Sequence, residues 1–97
     1  MRKHGKLLKS QATFTREELA ELLEGLAARV REGTLTLGEN SGKVEMDLPQ
    51  TFTVEMEVQN TGKRVLKREL EMEIVWPIEP DGTPLPGRDP RSGFVVT

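Results

Sequence analysis

Few residues in this chain have the type and spacing to do chemistry. Gly38-Glu39-Asn40-Ser41-Gly42-Lys43 has the outline of a phosphate cradle. Such a loop needs converging backbone amides, a lysine, a Ser or Thr for magnesium and a helix start behind it. Here the spacing is one residue short, Val44 stands where the hydroxyl belongs, and a strand pattern follows. A plain turn is the expectation. His4 is the single histidine. It sits among lysines near the amino terminus, where no fixed imidazole for a triad or a zinc site is expected. The carboxylates Glu45, Asp47, Glu55, Glu57, Glu69, Glu71 and Glu73 recur at alternate positions. Acid–base work would need a pocket that separates their pKa values. A divalent cation would need ligands that converge, whereas rows on a strand run parallel. The bland reading is a solvated face that keeps the protein soluble. The functional reading is a dock for a basic partner, with Glu55, Glu57, Glu71 and Glu73 at its centre. No nucleophile–base pair is visible, so neither an enzyme nor a cofactor, metal or small-molecule substrate is expected.

The strands that carry those carboxylates are the clearest elements. Phe52-Thr53-Val54-Glu55-Met56-Glu57-Val58 alternates without a break, and Glu69-Leu70-Glu71-Met72-Glu73-Ile74-Val75-Trp76 does so again. A period of two places Phe52, Val54, Met56 and Val58 on one face, matched by Leu70, Met72, Ile74 and Trp76. Glutamates take the other face. Asn60-Thr61-Gly62-Lys63 reads as the turn between them. Leu66 also fits the inward set, which would point Arg68 inward. Arg68 is therefore expected near the sheet end, reaching water, or beside a bulge. Two shorter strands precede these, Thr34 to Leu37 and Lys43 to Leu48, with Pro49 as the stop.

A helix is predicted from Thr15. Thr15 and Glu18 fit a capping box, Phe14 and Leu19 fit a hydrophobic staple, and Glu17 and Glu18 suit the positive end of the helix dipole. Leu19, Leu22, Leu23, Leu26 and Val30 form one stripe, and Gly33 is the natural stop. Burying the stripe is worth roughly 10 kcal/mol gross. Gly25 either allows a close approach or is tolerated at about 1 kcal/mol. Lys6 to Phe14 is read as a short edge strand, with an extended arm as the alternative.

The fold class expected is α+β: one amphipathic helix packed on a four- to five-stranded antiparallel sheet, in the order strand, helix, then four strands. Residues 1–5 form a basic arm, 6–76 the domain and 77–97 a tail. That tail holds five of the six prolines and ends in Phe94-Val95-Val96-Thr97. Ninety-seven residues with no cysteine leave a small core and no disulfide to support it. No apolar run approaches a membrane span, and no signal peptide is recognised, so a cytoplasmic protein without membrane contact is expected. The net charge of −2 excludes nothing by itself.

The capped segment Thr15-Arg16-Glu17-Glu18-Leu19-Ala20-Glu21-Leu22-Leu23, the Gly33 stop, the alternating strands and the closing Glu71-Met72-Glu73-Ile74-Val75-Trp76 resemble the amphi-Trp domain over residues 6 to 76. The resemblance implies a fold and a bacterial or archaeal origin. It implies no activity and no site residues.

Function is then expected to lie in surfaces. Trp76 is either a core side chain closing one end of the layer or an indole at an interface. Met46, Met56 and Met72 read as core filler rather than an adaptable groove. A non-enzymatic interaction or structural domain is the first reading. It self-associates as a homodimer or other homo-oligomer, or binds another protein, through sheet edges or the Phe94, Val95 and Val96 end. The alternative is a nucleic-acid-associated module that uses the basic amino-terminal residues with Arg29, Arg31, Lys63 and Arg64.

Overall fold

Thr15 decides where the helix begins. Its hydroxyl accepts the Glu18 backbone N–H at 3.1 Å, and its own N–H donates to the Glu18 carboxylate at 2.8 Å. Two amides that helix geometry leaves free are thereby satisfied. The structure, a computed structural model, describes residues 5–86 of the 97-residue chain. Helix α1 (Arg16–Glu32) ends at Gly33, whose φ of 91° lies in the left-handed region. Its N–H returns to the carbonyls of Arg29 and Val30. Without a Cβ this turn carries no steric cost.

The chain divides into two compact units, Met1–Leu48 and Pro49–Thr97. In the first, strand β1 (Thr34–Leu37) pairs antiparallel with β2 (Val44–Asp47). Leu35 lies opposite Met46 and Leu37 opposite Val44, so one face of this ribbon is apolar. The helix α1 packs against β1. Leu26 on the helix and Leu35, Leu37, Val44 and Met46 on the ribbon are half-buried. The Leu48 N–H donates to the Gly33 carbonyl at 2.8 Å, which ties the ribbon end to the helix stop.

In the second unit, β3 (Thr53–Thr61) pairs antiparallel with β4 (Lys67–Val75), from Thr53 opposite Val75 to Thr61 opposite Lys67. The ladder runs further than the alternation suggested. Asn60 and Thr61, expected in the turn, still pair with Arg68 and Lys67. Arg68 sits at the ribbon end, as one of the two alternatives required. Its Nε donates to Asn60 Oδ1 at 2.6 Å. Gly62 turns the chain at φ 105°, where an added Cβ would collide with the Val65 carbonyl oxygen. After β4, Ile78 bridges Pro84 around a tight turn. There Glu79 N–H donates to the Thr83 carbonyl at 2.8 Å, and Asp81 accepts the Thr83 N–H at 2.9 Å.

The α+β class is confirmed among the described residues, with the helix first and four strands after it. Two details are corrected. Residues 6–14 form no strand, so the helix is the first of the described elements. The strands also make two separate two-stranded ribbons, β1–β2 and β3–β4, instead of one sheet of four or five. Both ribbons join sequence neighbours, where loop closure costs least entropy. An extended segment becomes a strand only when another edge takes its hydrogen bonds. Among the described residues, no hydrophobic side chain is fully buried.

Candidate interaction surface

The register of β3 and β4 sorts side chains onto two faces. Val54 lies opposite Ile74, Met56 opposite Met72 and Val58 opposite Leu70. These three rows make one apolar surface, uncovered within its own unit. Met56 is 40%, Ile74 47% and Leu70 68% exposed. Phe52 and Trp76 continue the surface just beyond the strands. Their rings meet edge to face at 5.5 Å and 90°, a geometry that brings the positive edge of one ring to the negative face of the other. Trp76 is half-buried. Its Nε1 is shielded from solvent and donates to no acceptor, and the Thr51 hydroxyl is likewise shielded.

The opposite face is acidic. Glu55 faces Glu73 and Glu57 faces Glu71 directly across the ladder, with Glu69 beside them opposite Gln59. Gln59 Nε2 donates to Glu69 Oε1 at 2.6 Å and to Glu71 Oε1 at 3.3 Å, relieving part of the repulsion. Hydrogen bonding to Glu69 and then its charge hold the Glu71 carboxyl above its ordinary range, with the Glu57 charge adding to this. All four of the predicted glutamates, Glu55, Glu57, Glu71 and Glu73, are therefore neighbours on one solvated face.

The first unit has an open surface of its own. Leu19, Leu22, Leu23 and Val30 are 44–46% exposed along α1. Residues of the amino-terminal arm and the first helical turns frame a groove of about 440 Å³, lined by Ser10, Gln11, Ala12, Phe14, Leu19 and Leu22. The alternation and the helical spacing identified both apolar surfaces.

The remaining candidates separate plainly. Gly38 to Lys43 is a turn with one short 3₁₀ segment, and β2 follows it. Arg29 is paired with Glu32 at 2.6 Å, while Lys63 and Arg64 lie in the β3–β4 turn. Phe94, Val95, Val96 and His4 lie outside the described residues. Among the described residues, no cluster of three His, Cys, Asp or Glu could hold a metal ion. No described helix is long and apolar enough to cross a membrane.

The family model of the Amphi-Trp domain matches residues 1–94, a span that takes in the capped helix, both ribbons and Trp76. The chain belongs to the Amphi-Trp domain family. The match extends beyond residues 6–76 to take in the basic arm and most of the proline-rich segment. No curated protein matches the chain, and no solved structure does. The Amphi-Trp match fixes the family and leaves the biochemical role to be argued from the surfaces.

Proposed function

We propose that this Amphi-Trp domain is a non-enzymatic interaction module that works as a self-associated protein. The observation behind this reading is the open apolar face of the β3–β4 ribbon, with Val54, Met56, Val58, Leu70, Met72 and Ile74 all at least 37% exposed. A two-stranded ribbon is marginal alone in water and needs a third layer or strand. Exposed contiguous apolar patches of this kind mark interaction surfaces. A chain of this size also gains much of its stability from assembly when its own core is thin. Either edge of the ribbon could accept a neighbouring strand, and the Trp76 end would join the contact. Light scattering across a hundredfold concentration range tests the reading. An oligomer mass at high concentration is expected, and a constant monomer mass would end it.

A further inference from the structure

We infer that the tip of the β3–β4 ribbon is a docking site for an anionic lipid surface. The inference goes beyond self-association and holds for a monomer as for an oligomer. The tip reads Lys63-Arg64-Val65-Leu66-Lys67-Arg68, two aliphatic side chains between two pairs of cations. All four basic residues described in the second unit fall within this segment. Leu66 is 77% and Val65 65% exposed. Among the described residues, no carboxylate lies within ion-pair reach of these cations.

The ribbon itself holds the cluster together. Thr61 pairs with Lys67, which leaves residues 62–66 as the loop. Gly62 approaches the Val65 carbonyl so closely that no Cβ fits between them. Arg68 is tied to Asn60 at 2.6 Å. The loop thus closes on its own backbone and leaves the aliphatic pair in solvent.

Charge and apolar surface together select the occupant. An interfacial contact gains from buried apolar area and from attraction to anionic headgroups. Each Lys or Arg near such a surface raises partition about fivefold. Long basic side chains reach the headgroups while Val65 and Leu66 enter the acyl boundary. Nucleic acid fits less well. A duplex groove takes a ribbon lengthwise, which would bring Glu55, Glu57 and Glu69 against phosphates. Single strands are held on aromatic platforms, and the tip has no aromatic residue. Charge does not select the chain's own first unit either, because residues 1–48 carry eight Lys and Arg against eight Asp and Glu. A surface contact needs no spanning segment, so it accords with the absence of a long apolar helix among the described residues. It revises the expectation of no membrane contact, which rested on spans and signal peptides.

Flotation of the full chain with vesicles tests this. Phosphatidylcholine with about 30% phosphatidylserine should bind the chain, phosphatidylcholine alone should not, and added salt should release it. Lys63→Gln with Arg64→Gln should weaken binding by about tenfold or more. Val65→Ser with Leu66→Ser should weaken it by roughly threefold or more and keep the salt dependence. Trp76 lies at the other end of the ribbon, about 27 Å from the tip at the strand rise. Its emission should therefore stay put on binding, whereas Leu66→Trp should add a component that shifts to the blue. No binding to the anionic vesicles overturns the inference. So does equal weakening by Lys6→Gln with Lys9→Gln, which would place the contact in the amino-terminal segment. Tighter binding to duplex DNA or single-stranded RNA, lost with Lys63 and Arg64 but indifferent to Val65 and Leu66, would assign the tip to nucleic acid and overturn it. A large loss of urea stability in Val65→Ser with Leu66→Ser would show that the chain itself buries the pair, which also overturns it.

Discussion

Glu71 shows how a single side chain records the cost of the acidic face. Its carboxyl is held high first by hydrogen bonding to Glu69 and then by the Glu69 charge. A carboxylate with a raised folded pKa binds its proton more tightly when folded. Its penalty is therefore absent below the unfolded value, grows as pH rises towards the folded value, and is complete above it. Glu18 runs the opposite way. The Thr15 backbone N–H holds its carboxyl low, so its contribution is present at neutral pH and is lost as pH falls through the folded value. Replacing Glu69 with Gln should bring Glu71 back toward the ordinary glutamate range in an NMR titration and weaken the pH dependence of ribbon stability on mild acidification. A Glu71 titration unmoved in Glu69→Gln would show that Glu69 is not the cause.

At the scale of the element, glycines separate conformational need from mere tolerance. Gly62 holds φ 105° and a Cβ there meets the Val65 carbonyl. Gly62→Ala should thus destabilise the β3–β4 ribbon by more than about 1 kcal/mol in urea unfolding. Gly25 is different. An added Cβ meets nothing within 4 Å, and its helical position lies off the apolar stripe. Gly25→Ala should raise stability by up to about 1 kcal/mol, measured in the same titration. Failure of the two to move in opposite directions would contradict the turn geometry. Local signals such as these were the legible part of the fold. Thr15 and Gly33 set the helix ends because capping is decided within a few residues. Alternation gave the faces of both ribbons because a strand's period is a property of its own sequence. The turn was misplaced by two residues, since Asn60 and Thr61 favour turns yet pair with Arg68 and Lys67. The strand expected in residues 6–14 failed for a related reason, because strand pairing depends on another segment's edge. The split into two ribbons depends likewise on contacts that no local pattern encodes.

The whole molecule must account for a chain in which Leu22, Leu23, Met56 and Met72 all stay at least 40% exposed. Each such side chain forfeits part of the roughly 1.5–3 kcal/mol that full burial supplies. A net stability of several kcal/mol is hard to reach without that burial. If the missing burial comes from a second copy, folding and association are one equilibrium, and stability depends on concentration. A tenfold dilution should then lower the apparent unfolding free energy by about 1.4 kcal/mol. With a urea slope near 1 kcal/mol/M per chain, hence about 2 kcal/mol/M for two chains unfolding together, the midpoint should fall by about 0.7 M. Trp76 supplies the probe, because the chain has a single tryptophan and its ring lies against Phe52 at the end of the apolar face. Its emission should shift to the red on unfolding, at a urea midpoint that falls with protein concentration. A midpoint independent of concentration would mean that one chain buries enough of its own surface to stand alone, and the open faces would then need another explanation.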